Sequence, residues 1–125
     1  MLGALLSAAA DGRLHEVEPP RWKPGAAVAV VMASAGYPES SSKGDVIVGT
    51  ETLDREDDVD VIHAGTARDA EGHLVTAGGR VLAVVGTGAD VAAARAAAYD
   101  GVARISFDGA QHRTDIASSP DPSVV

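Results

Sequence analysis

The chain has 125 residues and a formal charge of −8 at pH 7, and this length favours a single domain. Its balance of 46% hydrophobic and 22% charged residues is typical of a soluble globular protein. Ten Lys and Arg against 18 Asp and Glu do not readily supply the basic face that a nucleic-acid backbone requires, so nucleic acid is disfavoured as a partner. The absence of cysteine excludes disulfides and thiolate metal sites.

The first 25 residues divide into an apolar run and a proline-rich segment. Leucines at helical spacing predict a short helix over 2–10, which Gly12 ends. The run is too short to span a bilayer and lacks the basic start of a signal peptide, so we expect a cytoplasmic protein with no membrane partner. Because the chain opens inside a helix, residues 1–12 are predicted to be the remnant of a preceding region. Residues 13–25 are predicted to be a linker.

A single domain is predicted over 26–117. Residues 26–34 form a continuous Val-rich run, whose lack of alternation predicts a strand buried on both faces. With this run, the apolar segments predict five strands, over 26–34, 46–48, 61–66, 73–76 and 80–85. The strands over 61–66 and 73–76 are predicted to form a hairpin. The acidic segment 51–60 is expected to be a solvated surface connection.

A long helix is predicted over 90–105, because Ala94, Ala98 and Val102 repeat at near-helical spacing. Asp90 suits the start of that helix electrostatically. The tail over 118–125 is expected to be disordered. The fold class predicted from this pattern is α+β, with several antiparallel strands and one main covering helix.

The motifs of common active sites are incomplete here. The glycines at 86 and 88 begin like a dinucleotide fingerprint, but Val91 stands where the third glycine belongs and Asp90 would repel phosphate. The histidines lack the spacing of a metal set. There is no Gly-x-Ser-x-Gly nucleophile elbow. The sequence therefore gives no reason to assign a catalytic residue or a metal ligand.

Two cations lie beside glycines. Lys43 and Gly44 close a long loop over 35–45, and Gly79 and Arg80 open a predicted strand. Glycine lets the backbone approach an anion while the neighbouring cation supplies charge. The pattern is consistent with phosphate or carboxylate contacts, and the alternative is that these are ordinary solvated loop residues.

The order of the segments carries more information than any single one. MASAGYP followed by KG, then HAGT, GGRVL and ISFDGAQHRTDI, resembles the C-terminal domain of the phosphoribosylamine–glycine ligase family, over about residues 2–117. The family comprises ATP-grasp ligases of purine biosynthesis, which join glycine to 5-phosphoribosylamine with ATP and magnesium. The resemblance implies a small antiparallel sheet or barrel-like domain with a helix, related to the C-terminal domain of biotin carboxylase.

The resemblance also implies roles for particular residues. At the domain interface, those expected to help bind the phosphoribosyl substrate or to shape its loop are Lys43, Gly44, Gly79, Arg80, Tyr37 and Pro38. His63 and Thr66 of the HAGT motif are as readily structural as substrate-facing.

This sequence departs from the family in one large respect. The nucleotide-binding lobes and magnesium ligands of the family lie upstream of the region matched here. The chain alone is therefore expected to be inactive and to bind neither ATP nor magnesium, while completing the substrate pocket of an ATP-grasp partner. The surface that would pack against the missing ATP-grasp region is expected to be exposed in this chain, and an exposed apolar surface predicts self-association. The alternative is a stand-alone module, derived from the ligase, that binds a small anion or a partner.

Overall fold

The structure, a computed structural model, describes residues 1–118. The predicted disordered tail therefore lies outside the described residues, apart from Ser118. The helices and strands, in chain order, are α1 (Leu2–Ala10), β1 (Ala26–Ala33), β2 (Val59–His63), β3 (Thr66–Arg68), β4 (Leu74–Thr76), β5 (Arg80–Gly88) and α2 (Val91–Arg104).

The strands form two antiparallel sheets. β5 is the central strand of the larger sheet, with β1 on one side and β2 on the other, and Val84 pairs with both Val30 and Val61. β3 and β4 form a separate hairpin, closed where the Gly72 amide donates to the Asp69 carbonyl. The predicted α+β fold with a small antiparallel sheet and one covering helix is confirmed, and the two edge strands of the larger sheet do not pair with each other.

α2 covers one face of the three-stranded sheet. The Asp90 side chain caps the helix by accepting a hydrogen bond from the Ala93 amide (2.8 Å), as its position in the sequence suggested. A Cβ on Gly86 of β5 would lie 2.9 Å from the Ala98 Cα and closer still to backbone atoms of the helix. Glycine at this position therefore lets the helix backbone approach the strand, and Ala94 and Ala98 become fully buried.

The other face of the sheet is open, which contradicts the prediction that β1 is buried on both faces. Burial alternates along β1: Val30 and Met32 face α2 and are buried, whereas Ala29 and Val31 on the opposite face are exposed. The physical reason is that the described chain supplies one covering helix for two apolar faces. An apolar run thus indicates a strand but not what covers it.

Two smaller predictions are also wrong. Residues 46–48 form isolated bridges, from Val46 to Val75 and from Val48 to Ser106, rather than a strand. The strand predicted over 61–66 is interrupted, because the amides of Ala64 and Gly65 both donate to the Val81 carbonyl (3.1 and 2.8 Å). This doubled contact ends the ladder with β5, so β4 pairs with β3 instead of with residues 61–63.

α1 confirms the helix predicted over 2–10, and Gly12 follows it with a φ of +69°. The amide of Arg13 donates to the Ala8 carbonyl (2.8 Å), which folds the helix end onto the next turn, while Leu2 and Leu6 stay exposed. Neither α-helix within residues 1–118 is long and apolar enough to cross a membrane. The division into 1–12, 13–25 and 26–117 stays a prediction.

Candidate functional site

The long loop over 34–45 is bonded to the end of β4 and to the turn that precedes β5. At one end the Ser34 amide donates to the Gly79 carbonyl (2.8 Å), and at the other the Gly44 amide donates to the Thr76 carbonyl (2.7 Å). The two cation–glycine pairs singled out in the sequence therefore flank one loop–turn junction, although Gly44 and Gly79 are 35 positions apart along the chain.

Tyr37 lies directly on Gly79. A Cβ on Gly79 would be 2.7 Å from the Tyr37 Cε2 and closer still to Cδ2, so a side chain there would displace the ring. The Tyr37–Pro38 peptide bond is cis, and the Tyr37 side chain remains 38% exposed. Glycine at 79 thus provides room for an aromatic ring at the surface of the junction.

Buried Thr76 organises the end of the loop that carries Lys43. The Thr76 hydroxyl accepts a hydrogen bond from the Asp45 amide (3.1 Å) and lies 3.3 Å from the Ser42 carbonyl. Gly44 adopts a φ of +86°, which favours glycine, and its amide is already used by Thr76. The Gly44 amide is therefore not available to donate a hydrogen bond to an anion, and Gly44 contributes the backbone conformation of the loop instead. Lys43 beside it is exposed.

Gln111 holds the opposite end of the loop and was not singled out in the sequence. Its side-chain amide donates to the carbonyls of Ser34 (2.9 Å) and Tyr37 (3.0 Å), while its backbone pairs with Ala33. The one available sequence signal was its place inside the ISFDGAQHRTDI motif. Because its partners lie more than 70 residues away, no local pattern could reveal this role.

The segment after Gln111 is fixed to α2 by two side chains. The Tyr99 hydroxyl donates to the Arg113 carbonyl (2.7 Å), and the Arg95 guanidinium donates to the carbonyls of Thr114 and Ile116 (2.8 Å each). The Arg95 guanidinium also lies over the Tyr99 ring, 4.6 Å from its centroid. This clamp gives the junction a wall held by both the helix and the sheet.

Two grooves meet at Arg80. One, of about 340 Å³, is lined by Val31, Ala33, Tyr37, Arg80, Gln111, His112 and Arg113. The other, of about 500 Å³, is lined by Val31, Ile62, Ala64, Gly65, Ala77, Gly78, Arg80, Leu82 and Ala83. No carboxylate lines either groove within the described chain, so the arrangement suits an anion with an apolar part.

The charges around the grooves differ in whether they are already paired. Arg113 donates to Asp115 (2.6 Å), and this hydrogen bond raises the pKa of Arg113 and lowers the pKa of the Asp115 carboxyl. Arg80 and Lys43, by contrast, form no ion pair with any carboxylate of residues 1–118. Both cations are exposed and available to an external anion, but Arg80 lines both grooves and Lys43 lines neither of them.

The HAGT motif lies beside the junction. Gly65 packs against Gly78, and its carbonyl accepts from the Ala77 amide (2.7 Å), while His63 Nδ1 lies 3.1 Å from the Thr66 hydroxyl. In the described residues, His63 and Thr66 thus contact each other, and the choice between a structural and a substrate-facing role stays a prediction.

A cluster of possible metal ligands lies on the β3–β4 hairpin. Ligand atoms of Asp69, Glu71 and His73 come within 4.8 Å of one another. Desolvation acts to raise the pKa of Asp69, but hydrogen bonds from the His73 backbone and ring outweigh it and hold that pKa below its usual value. The hairpin turn itself accounts for these contacts.

Comparisons with known proteins identify the family of this chain. Residues 27–119 match the family model described as "Phosphoribosylglycinamide synthetase, C domain". Phosphoribosylamine–glycine ligases from Streptomyces coelicolor and Neisseria meningitidis serogroup A are each 50% identical, over 119 and 117 residues. These matches cover 94% and 93% of this chain but 28% and 27% of the relatives.

A solved structure shares the fold. The crystal structure of the phosphoribosylamine–glycine ligase from Thermotoga maritima matches with a TM-score of 0.72 and 36% identity, over 90% of this chain and 27% of that one. The chain therefore spans little more than a quarter of the length of the relatives that it matches. The resemblance found in the sequence is confirmed, and the chain belongs to the phosphoribosylglycinamide synthetase C-domain family.

Proposed function

We propose that this chain serves as the C-terminal domain of a phosphoribosylamine–glycine ligase of purine biosynthesis, in which it binds the phosphoribosyl substrate. The observation that carries the proposal is the junction of the 34–45 loop with the 77–80 turn. Arg80 lines both grooves there, Lys43 lies on the loop end that is bonded to Thr76, and neither cation forms an ion pair with a carboxylate of residues 1–118.

Arg80 is the principal phosphate ligand in this proposal. A guanidinium offers parallel N–H donors to a phosphate, and hydrogen bonds between charged groups are stronger than neutral ones. Lys43 adds a second, more flexible charge from the loop. Gly44 and Gly79 act through geometry, since the first positions Lys43 and the second makes room for Tyr37.

The apolar floor of the grooves suits the ribose. Val31 contributes to both grooves, and the Tyr37 ring forms one wall of the smaller groove. An aromatic ring and an aliphatic side chain can pack against the carbon face of a sugar while the phosphate lies on Arg80. Pro38 follows in the cis peptide and shapes the loop beside Tyr37.

ATP and magnesium belong to another part of the ligase in this proposal. The two grooves are lined by cations and apolar groups, and this donor set does not fit magnesium, which prefers carboxylate and water oxygens. The contribution of this domain is thus to bind and orient one substrate. Correct orientation alone removes part of the barrier of a two-substrate reaction.

The test is a fusion in which this chain replaces the matched C-terminal region of the Streptomyces coelicolor ligase, which is 50% identical. We expect the fusion to form ADP in a reaction that requires both glycine and phosphoribosylamine. This chain alone and the ligase truncated before the matched region should both be silent. A folded fusion without turnover, or turnover by this chain alone, would contradict the proposal.

Binding by the chain alone is expected to be weak. A few exposed charge contacts rarely exceed roughly millimolar affinity once the cost of immobilisation is deducted. Isothermal titration calorimetry of this chain with glycinamide ribonucleotide measures this affinity directly. Micromolar binding would instead favour a stand-alone module for a small anion.

A further inference from the structure

β2 is an edge strand of the three-stranded sheet, and the outer side of its backbone is free. The Thr87 amide donates to the Asp58 carbonyl (2.8 Å), so the backbone of residue 58 faces β5. Because hydrogen bonds alternate along an antiparallel pair, residues 60 and 62 also face β5, and the residues between them face outward. Within residues 1–118, no strand pairs with these outward amides and carbonyls, which are those of Val59, Val61 and His63.

A groove of about 600 Å³ lies along this free edge. This edge groove is bordered by β2 and by the β3–β4 hairpin, which contributes Arg68 and Leu74. Val61 and Leu74 are half-buried and supply apolar surface inside it. β2 has five residues at about 3.3 Å each, so the free edge runs for roughly 16 Å. The edge groove therefore offers unpaired backbone groups and apolar contacts along the length of one short strand.

The edge groove is also acidic, because four carboxylates line it against a single arginine or lysine, Arg68. The carboxylates are those of Glu51, Asp54, Glu56 and Asp60. Arg104 pairs with Glu56 (2.8 Å), but the other three are exposed and form no ion pair within residues 1–118. A groove lined by one sign of charge attracts ligands of the opposite sign.

We propose that the edge groove is a docking site for an extended, basic segment of a partner protein, which adds a strand to the free edge of β2. The free edge and the negative charge are independent features, and both favour this kind of ligand. Backbone hydrogen bonds hold an added strand, while its side chains alternate between two faces. Apolar side chains of the segment pack on Val61 and Leu74, and the lysines or arginines between them reach the carboxylates.

A second copy of this chain is a poor occupant of the edge groove. Each chain has a formal charge of −8, so two acidic edges would repel each other. The inference is also independent of the phosphoribosyl role, because the edge groove shares none of its lining residues with the two grooves at Arg80.

The test is amide hydrogen exchange of the full chain, followed by NMR, with a synthetic peptide of alternating lysine and valine as the probe. When about nine-tenths of the chain is bound, we expect exchange to slow about tenfold at the amides of Val59, Val61 and His63. Exchange at Asp60 and Ile62 should not change, because these amides are already bonded to β5. This alternation distinguishes an added strand from attraction by charge alone.

Two variants test the two features separately. Val61→Pro removes an outward N–H without removing a bond to β5, and edge strands accept proline at such positions. Asp54→Lys reverses one charge of the edge groove. Each should weaken binding of the lysine–valine peptide about tenfold, whereas the control Asp108→Lys, an exposed acid outside the edge groove, should leave it unchanged. If Val61→Pro does not fold, Asp54→Lys and its control decide.

Four outcomes would overturn the inference. The first is no protection at millimolar peptide, and the second is protection that does not alternate along β2. The third is equal binding of a matched peptide of alternating glutamate and valine, since the acidic groove should reject it. The fourth is protection that rises with the concentration of the chain alone, which would assign the edge to a second copy.

Discussion

The two faces of the three-stranded sheet are built from the same strands and are both apolar, yet they differ in what covers them. On the closed face, Val30 and Val84 are fully buried beneath α2. On the open face, the adjacent residue Val31 is 44% exposed. The closed face has a covering element within the described chain, whereas no element of residues 1–118 covers the open face.

The comparison shows that the strand covered by a helix carries glycine where the helix backbone packs closely against it. Gly86 and Gly88 on the closed face leave space for the backbone of α2, and Gly101 of α2 packs in return against Val84. The strands contribute alanine and larger residues to the open face, without glycine. An apolar face thus predicts burial, while glycine within the strand indicates the positions where a helix backbone packs closely against it.

The largest effect is expected from Gly86→Ala on the closed face. The added Cβ would meet backbone atoms of Ala94 and Ala98, which cannot move without shifting α2. We expect a loss of about 3 kcal/mol in the free energy of unfolding, measured by urea denaturation. Gly3→Ala is the control, because nothing lies within 4 Å of its added Cβ, and its stability should not fall, since alanine favours a helix more than glycine does. Equal stability of both variants would contradict the packing described here.

A matched pair of substitutions compares the two faces directly. Val30→Ala removes two methyl groups from a fully buried site and should cost about 2 kcal/mol. Val31→Ala makes the same chemical change one residue away and should cost less than about 0.5 kcal/mol in the isolated chain. Urea denaturation of the two variants side by side tests this difference. Equal losses would mean that the open face is already covered in the isolated chain.

Gln111→Glu tests the support of the loop that borders the open face. Glutamate has the same size but no N–H donors, so the hydrogen bonds to the Ser34 and Tyr37 carbonyls are lost. We expect a loss of about 1 kcal/mol in stability. Hydrogen exchange should accelerate at the amides of Ser40 and Ser42, which bond within the loop. Unchanged exchange at both amides would show that Gln111 does not hold the loop.

The smallest effect concerns Asp115, at the far end of the groove wall. The hydrogen bond from Arg113 holds the pKa of Asp115 below its ordinary value of 3.8. A carboxyl whose pKa is lowered by folding stabilises the protein above its unfolded pKa, and this contribution disappears as the pH falls through the folded pKa. Asp115→Asn should therefore melt slightly below the parent chain at pH 7.

Melting curves measured down to pH 2 complete that test. The difference between Asp115→Asn and the parent chain should shrink as the pH falls below 3.8. A difference that stays constant over this range would show that the ion pair with Arg113 is not its source.

Local patterns predicted much of the fold. The spacing of Ala94, Ala98 and Val102, with Asp90 before them, is enough to define α2, since a helix depends on neighbours three and four residues apart. The turn closed by Gly72 is equally local. The exposure of the open face could not be predicted, because it depends on how many elements cover the sheet and not on the sequence of the strand itself.

The candidate site was predicted in part. The cations beside glycine and the resemblance to the ligase family pointed to Lys43 and Arg80; Arg80 lines both grooves, whereas Lys43 lines neither, and their roles stay predictions. The loop–turn junction depends on contacts between distant segments, such as Ser34 with Gly79 and Gln111 with Tyr37. Single-sequence patterns do not contain such pairings, which is why the supporting role of Gln111 was missed.

The most direct test of the central claim is the KM for phosphoribosylamine of the fusion ligase carrying Arg80→Gln. Loss of a hydrogen-bonded charge on the substrate phosphate should raise KM about tenfold to a hundredfold. The control Arg55→Gln removes an exposed arginine elsewhere and should leave KM unchanged. An Arg80→Gln fusion with the KM of its parent would contradict the claim that this domain binds the phosphoribosyl substrate through Arg80.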